Sequence, residues 1–457
     1  MKSSHFGIDP ARSRRQHITA GLSSMIGTTI EWYDFFIYGI AAALIFNKIY
    51  FPAIDPVTGT LAAFGTYAVG FIARPLGGVV FGHFGDRIGR KSMLMLSLLL
   101  MGVPTVLIGL TPSYEVIGYW GAVALVFFRF LQGLAVGGEW GGAVLMAVEH
   151  APKNKKGFFG SLPQVGVAPG LILSSLAMGA VTQLPEADML AWGWRIPFLS
   201  SVFLLLVGWY IRAKVTESPE FAEVQKRPEA KNSVPLKTVL AHHKTPVLVA
   251  LVACVAEKTW FYTIATFSLT YAVGTLGLSK EMILNGVMWG AAASLVTIPL
   301  FGLLGDFISK QVIFIAGAIG ISLFSGEFFS LVNERTPYHI NIAMVIGFGL
   351  VYAAMYAQES SLFSSMFPAS VRYTGISLAV QIGGAIGGGT APLVATYLLA
   401  KGGGQPQLIV TYLAALGVIA ALCGLFMRPH RDDRHETAAS SGIRSARSGA
   451  WTTSASE

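Results

Sequence analysis

Gly82-His83-Phe84-Gly85-Asp86-Arg87-Ile88-Gly89-Arg90-Lys91 stands between two long apolar runs, Leu61–Phe84 and Ser92–Leu110. Each run is long enough to cross a bilayer, so the charged stretch is a very short loop joining two membrane helices. Gly85 and Gly89 permit close backbone approach and unusual dihedrals, and Asp86 falls where the first helix ends, with basic neighbours following. Composition alone makes this a positively charged cytoplasmic turn.

The rest of the chain has the same character. Of 457 residues 53% are hydrophobic and 12% charged, with 52 glycines and a mean hydropathy of +0.60. That excludes a soluble globular or a disordered chain and fits a polytopic helical membrane protein. A pI near 9.4 raises the question of nucleic acid, which the placement of the charges answers. The hydropathy pattern leaves 24 of the 32 Lys and Arg on one side of the membrane. Five lie on the other side (Lys48, Arg195, Lys280, Arg335, Lys401), and Arg74, Arg129 and Lys258 lie inside spans. By the positive-inside rule both termini are expected in the cytoplasm, with no nucleic-acid partner. Cys254 and Cys423 fall in apolar spans and read as neither disulfide nor metal ligands. Arg12, Arg14 and Arg15 precede an apolar segment too long for a signal-peptide core, so it is read as an uncleaved first helix.

Hydropathy and turn residues give about twelve spans: 19–47, 60–84, 92–110, 117–148, 158–182 and 195–212, then 245–275, 281–305, 311–331, 338–366, 373–400 and 407–427. The expected organisation is a cytoplasmic N-terminus 1–18, a six-helix half 19–212, a cytoplasmic linker 213–244, a second half 245–427 and a disordered cytoplasmic tail 428–457. The linker carries Pro219, Pro228 and Pro235, with a short surface helix expected near Pro219–Lys226. The halves repeat one another. Gly82-x-x-Gly85-Asp86 recurs as Gly302-x-x-Gly305-Asp306, displaced by 220 residues, and Glu139 and Glu359 are displaced by the same 220. Gln164 and Gln381 sit in the glycine-rich helices that follow. Phe307 and Ser309 replace a basic residue and a glycine in the second loop, which is therefore the weaker gate element.

Gly-x-x-Gly-Asp-Arg-x-Gly-Arg-Lys resembles the loop between helices 2 and 3 of the major facilitator superfamily. The resemblance sharpens with Glu31-Trp32-Tyr33-Asp34-Phe35, Phe71-Ile72-Ala73-Arg74-Pro75-Leu76-Gly77-Gly78 and Arg129-Phe130-Leu131-Gln132-Gly133. Gly138-Glu139-Trp140, Trp192-Gly193-Trp194-Arg195-Ile196-Pro197-Phe198 and Arg372-Tyr373-Thr374-Gly375 complete it. Together these look like the metabolite:proton symporter family over roughly residues 18–427, and most like its shikimate-type members. The resemblance implies an all-α major facilitator fold of twelve transmembrane helices in two six-helix pseudo-repeats, with a central site between them. It implies uptake of a small metabolite driven by protons, a cell (inner) membrane location and a monomer. From the loop it implies gating by Gly82, Asp86, Arg87, Gly89 and Arg90. His83 occupies a variable position of the motif.

A charge at membrane depth is costly unless paired or hydrated, so each is a functional candidate. Nine qualify: Glu31, Asp34, Arg74, Arg129, Glu139, Glu257, Lys258, Glu327 and Glu359. Glu31 and Asp34 lie three apart on one helix face, close enough for one to exchange a proton; permanent pairing of both with Arg129 is the competing reading. Arg129 suits a substrate carboxylate or a pair with Asp34, and Arg74 could reach the same cavity. Glu257 and Lys258 point about 100° apart. Glu257 is expected in the cavity as a proton carrier, with Lys258 a substrate cation, a snorkelling residue or a partner of Glu327. Gln164, Gln381, Tyr33 and Trp260 are substrate-contact candidates, although aromatic residues in membrane proteins are more often packing or interface anchors. Glu139 and Glu359, near the cytoplasmic helix ends, are read with Gly85, Asp86, Asp306 and Arg372 as gate elements.

Gly383-Gly384-x-x-Gly387-Gly388-Gly389 follows no strand and is not a dinucleotide loop; close helix packing or bending accounts for it. No metal cluster, nucleophile triad or nucleotide site is legible, so no cofactor, no metal and no enzyme activity are expected. Energy is then expected from an ion gradient. The reading is import of a small organic acid (shikimate-like, a dicarboxylate or related) by proton symport through alternating access. A proline- or betaine-type zwitterion symporter is the alternative, and a non-transporting receptor on the same fold is the rival of another class.

Overall fold

The structure, a computed structural model, describes residues 10–225 and 235–430. The tail beyond 430, the centre of the linker and the first nine residues lie outside the described residues. Every regular element described is helical. The long helices are α1 (Pro10–Leu44), α2 (Pro56–Ile88), α3 (Arg90–Leu110), α4 (Trp120–His150), α5 (Lys156–Thr182) and α6 (Arg195–Lys214). After the linker come α7 (Lys244–Gly274), α8 (Lys280–Phe307), α9 (Lys310–Asn333), α10 (Pro337–Ser365), α11 (Arg372–Lys401) and α12 (Gln407–Phe426). Among the described residues eleven helices are long and apolar enough to cross a membrane. The twelfth, α1, runs for 35 residues and carries buried Glu31 and Asp34, which lower its hydropathy.

The opening decapeptide is tighter than its sequence suggests. α2 runs on through Asp86 to Ile88, and Gly89 is the single residue between it and α3. Gly89 has φ +125°, a backbone shape that a residue with a Cβ rarely adopts. One glycine thus reverses the chain.

Two interfaces join the halves: α2 packs on α11, and α5 packs on α8. They are equivalent under the 220-residue repeat. Gly82 lies so close to α11 that an added Cβ would sit 2.8 Å from Thr374 Cα. In the glycine cluster, Gly383 and Gly387 abut the α7 backbone, while Gly384 opens onto a central cavity.

Single π turns interrupt α7 at Thr263–Phe267 and α10 at Gly347–Tyr352. Such turns release carbonyls from the helical ladder. Trp260 Nε1 donates to one of them, Gly347, at 3.1 Å. The linker carries helices at Pro219–Gln225 and Pro235–His242. The molecule's end bearing the linker and Gly89 is called the linker end below.

Candidate functional site

A cavity enclosing about 590 Å³ of atom-free space, including that open to solvent, lies between the halves. Its lining comes from α1 and α2 (Glu31, Trp32, Arg74), α4 (Val136, Trp140), α7 (Lys258, Phe261, Tyr262), α10 (Tyr352, Tyr356) and α11 (Val380, Gln381, Gly384). Three charges face it: Glu31, Arg74 and Lys258. The Arg74 guanidinium lies 4.7 Å over the Phe35 ring and 4.6 Å over that of Phe71. Lys258 Nζ sits 4.3 Å over Tyr356 and 2.9 Å from Glu257 Oε2. The site is therefore a cationic, aromatic-walled chamber with one facing carboxylate.

Several candidates take places other than those expected. Asp34 turns away from the cavity, because three residues along a helix leave it about 60° from Glu31. It accepts from Thr105 Oγ1 at 2.7 Å and Ser201 Oγ at 3.0 Å. Arg129 does not bind it directly. Arg129 donates to Gln132 Oε1 at 3.2 Å, Gln132 Nε2 donates to Thr105 at 2.8 Å, and Thr105 reaches Asp34. The guanidinium itself is buried among the rings of Phe35, Tyr38 and Tyr67. Tyr33 donates to the Pro197 carbonyl at 3.0 Å, and Trp260 is wholly buried. Gln164 accepts from Trp140 Nε1 at 3.0 Å and donates to the Tyr356 carbonyl at 3.2 Å, so it clamps two lining residues from behind. On α7 the expected order is reversed: Lys258 faces the cavity, and Glu257 is buried behind it. Glu327 is exposed on α9 and pairs with nothing on α7.

Glu139 and Glu359 are both buried, and Glu359 lies under two turns from the end of α10. Glu139 sits about three turns from the end of α4. Its carboxylate is gripped bidentately by Arg212 of α6, and Ser97 donates to it as well. Arg212 also donates to the Leu94 carbonyl at 2.6 Å. Glu359 lies beside Glu257, carboxyl group against carboxyl group.

The other residues expected to gate come together at the linker end. Asp86 accepts from the backbone N–H groups of Tyr373 (3.2 Å) and Thr374 (2.9 Å) and from the Thr374 hydroxyl (2.8 Å), capping the N-terminus of α11. Gly85 lies against the Tyr373 ring. Arg90 is fully buried, 3.4 Å from Asp86 and 3.4 Å from Glu149, and donates to the Ala369 carbonyl at 2.8 Å. Arg87 is exposed. Arg372 pairs with Glu149 (3.4 Å) and with Glu220, which also holds Lys156 at 3.0 Å. In the second half Asp306 accepts from the N–H groups of Gly157 (2.6 Å) and Phe158 (2.9 Å), capping α5 in the equivalent way but with two donors instead of three.

Glu149, Glu217, Glu220, Phe221 and Arg212 escaped the sequence reading. Glu217 Oε1 accepts from the Arg90 N–H at 3.1 Å, and the Arg90 guanidinium lies 4.5 Å over the Phe221 ring. Ser218-Pro219-Glu220 did carry a signal, an N-cap followed by Pro at the first helical position. Ser218 Oγ indeed accepts from the Phe221 N–H at 3.0 Å. Burial drives the Glu220 carboxyl upward, but the charges of Arg372 and Lys156 outweigh it and hold it at about 2.

These features are those of a helical membrane protein with a cavity between its two halves, and similarity to known proteins gives its class, a membrane transporter. The sugar (and other) transporter family matches residues 20–245. The shikimate transporter of Escherichia coli (strain K12) is 39% identical over 420 residues, covering 92% of this chain and 95% of that protein. A glycine betaine/proline/ectoine/pipecolic acid transporter of Dickeya dadantii (strain 3937) is 31% identical, covering 92% and 84%. The solved proton:xylose symporter bound to 6-bromo-6-deoxy-D-glucose superposes with a TM-score of 0.75 at 17% identity, over 91% of this chain and 96% of that one. At that identity it speaks for the fold alone. The chain belongs to the major facilitator superfamily, among its metabolite transporters, and is a multi-pass membrane protein rather than an enzyme.

Proposed function

We propose that this protein imports a small organic acid together with protons across the inner membrane by alternating access, with both termini in the cytoplasm. The observation that carries the reading is the cavity: Arg74 and Lys258 project into aromatic walls, opposed by the single carboxylate of Glu31. Two cations and one anion favour an anionic guest, and the rings of Trp32, Trp140 and Tyr262 suit a small ring or carbon skeleton. Likeness to a shikimate transporter supports the same class of substrate. On this orientation the linker end is the cytoplasmic gate, held shut here by Asp86, Arg90, Glu149 and Arg372. Substrate and proton then bias one two-state equilibrium between halves rocking about the cavity.

A zwitterion such as proline or betaine is the second reading. It is favoured by Glu31, which offers a carboxylate beside Trp32 for a cationic end. The deciding measurement is uptake into proteoliposomes under an imposed inside-alkaline gradient, with labelled shikimate, dicarboxylates, citrate, proline and betaine. Accumulation of one acid, abolished by protonophore, supports the first reading; accumulation of betaine or proline alone supports the second. No accumulation of any compound would count against both.

A further inference from the structure

Behind Lys258 lies a charge arrangement that cavity binding alone does not explain. Glu257 and Glu359 are both 0% exposed. Their carboxyl groups lie within 4.8 Å of one another and of Cys254 Sγ. Lys258 Nζ is 2.9 Å from Glu257 Oε2, and beyond this lysine the two carboxyl groups have only each other as hydrogen-bond partners. One ammonium balances one carboxylate, and the second has no counter-charge. The groups around the pair are Lys258 and Cys254 from α7 and Tyr352 and Tyr356 from α10. α11 presents the Val380 carbonyl, which takes the Cys254 S–H at 3.7 Å. Glu31 faces Lys258 across the cavity, while Glu327 on α9 points outward. Two facing ionised carboxylates in an apolar interior repel, and only one of their four oxygens meets the ammonium. A single shared proton cures both defects, since the acid O–H donates to the neighbouring carboxylate.

We propose that Glu257, Glu359 and Lys258 form the coupling device: the carboxyl pair holds one proton when the substrate site is empty, and takes up a second when a substrate anion draws Lys258 away from Glu257. The inference rests on the anion-symport reading above. Empty, the trio carries one positive charge, two carboxyl groups and one proton, and is neutral. When a monoanion captures Lys258, Glu257 loses its cation, and neutrality requires one more O–H bond. Loaded and empty carriers are then both neutral while crossing the occluded form. Each cycle moves one monoanion and one proton, and no bond other than that O–H forms or breaks. Only Lys258 meets the cavity, so it transmits substrate occupancy to the buried pair.

Two measurements on the purified full-length protein test this. Infrared spectra near neutral pH should show a carboxylic-acid carbonyl band in the substrate-free wild type. The band should vanish in Glu359→Gln and in Glu257→Gln; a wild type lacking the band, or variants that keep it, would overturn the resident proton. In weakly buffered solution with a pH indicator, binding of the accepted monoanion should take up about one proton per site. The Glu257→Gln/Glu359→Gln double variant should bind the anion without that uptake. Unchanged uptake in the double variant would sink the coupling claim, as would accumulation driven by sodium instead of protons. If no acid in the panel binds, the symport reading fails, and the infrared comparison still decides the proton on the pair.

Discussion

Glu139 and Glu359 occupy equivalent places in the two repeats, and their surroundings are opposite. Glu139 meets a bidentate guanidinium from Arg212 and a hydroxyl from Ser97, while Arg212 has a further acceptor in the Leu94 carbonyl. Glu359 meets a second carboxyl group and shares the influence of one lysine, with no guanidinium or hydroxyl bonded to it. A buried charge with every partner in place is a fixed tie between helices. One left short of partners has a protonation state that depends on what happens to its neighbour. The N-terminal half thus holds a clasp of fully partnered groups where the C-terminal half holds the carboxyl pair proposed above to change charge.

The largest expected effect breaks the clasp. Arg212→Met strands Glu139 as an unpaired buried charge and should cost about 3–5 kcal/mol, read from unfolding in detergent. Glu359→Gln replaces the proposed shared O–H with an amide that can still donate to Glu257, and should change stability by under about 1 kcal/mol; equal losses for the two would erase the contrast. Next is Lys258→Gln, which should weaken binding of the accepted anion by roughly 10- to 100-fold, the size of a lost charge-assisted bond. Normal affinity in that variant would place the substrate elsewhere in the cavity. The paired loops offer a finer comparison. Asp86→Asn loses an acceptor and the Arg90 pair, and should slow uptake roughly fivefold with equilibrium binding unchanged. Asp306→Asn, with fewer interactions to lose, should slow it roughly twofold; the reverse ranking would make the second loop the main gate.

Glu220→Gln should act most gently. The Glu220 carboxyl is held at about 2 in the closed form, against an ordinary value of 4.5. Its contribution to closure is therefore fully present above the ordinary value and is lost only as pH falls toward the depressed one. Between about pH 5 and 8 the effect of the substitution on inward opening, followed by accessibility labelling at the linker end, should be flat. A slope across neutrality would assign the gate a different titrating group.

How much was legible beforehand varies with the range of the interaction. Span lengths, the repeat and the loop between α2 and α3 follow from hydropathy and from glycine and charge spacing, which are local properties of the chain. Glu31, Arg74, Lys258 and Gln381 were found because a charged or amide group in an apolar run is conspicuous, and all four line the cavity. The partners were another matter. A direct pair of Asp34 with Arg129 is one of the two readings the sequence allows for Arg129, but helical phase sends Asp34 to Thr105 and Ser201, and Gln132 and Thr105 relay between it and Arg129. Glu257 was assigned to the cavity and Lys258 left open, and rotation of α7 decided the reverse.

The sequence by itself determined about twelve membrane helices with charges set inside them, because apolar length and the cost of a charge in lipid are properties of each segment alone; transport was what the family resemblance implied. Only the tertiary structure decided that Arg212 silences Glu139, that Glu220 from the linker closes on Arg372, and that Glu257 and Glu359 face each other. Those pairings join residues 73, 152 and 102 positions apart, and no local pattern encodes which helix faces meet.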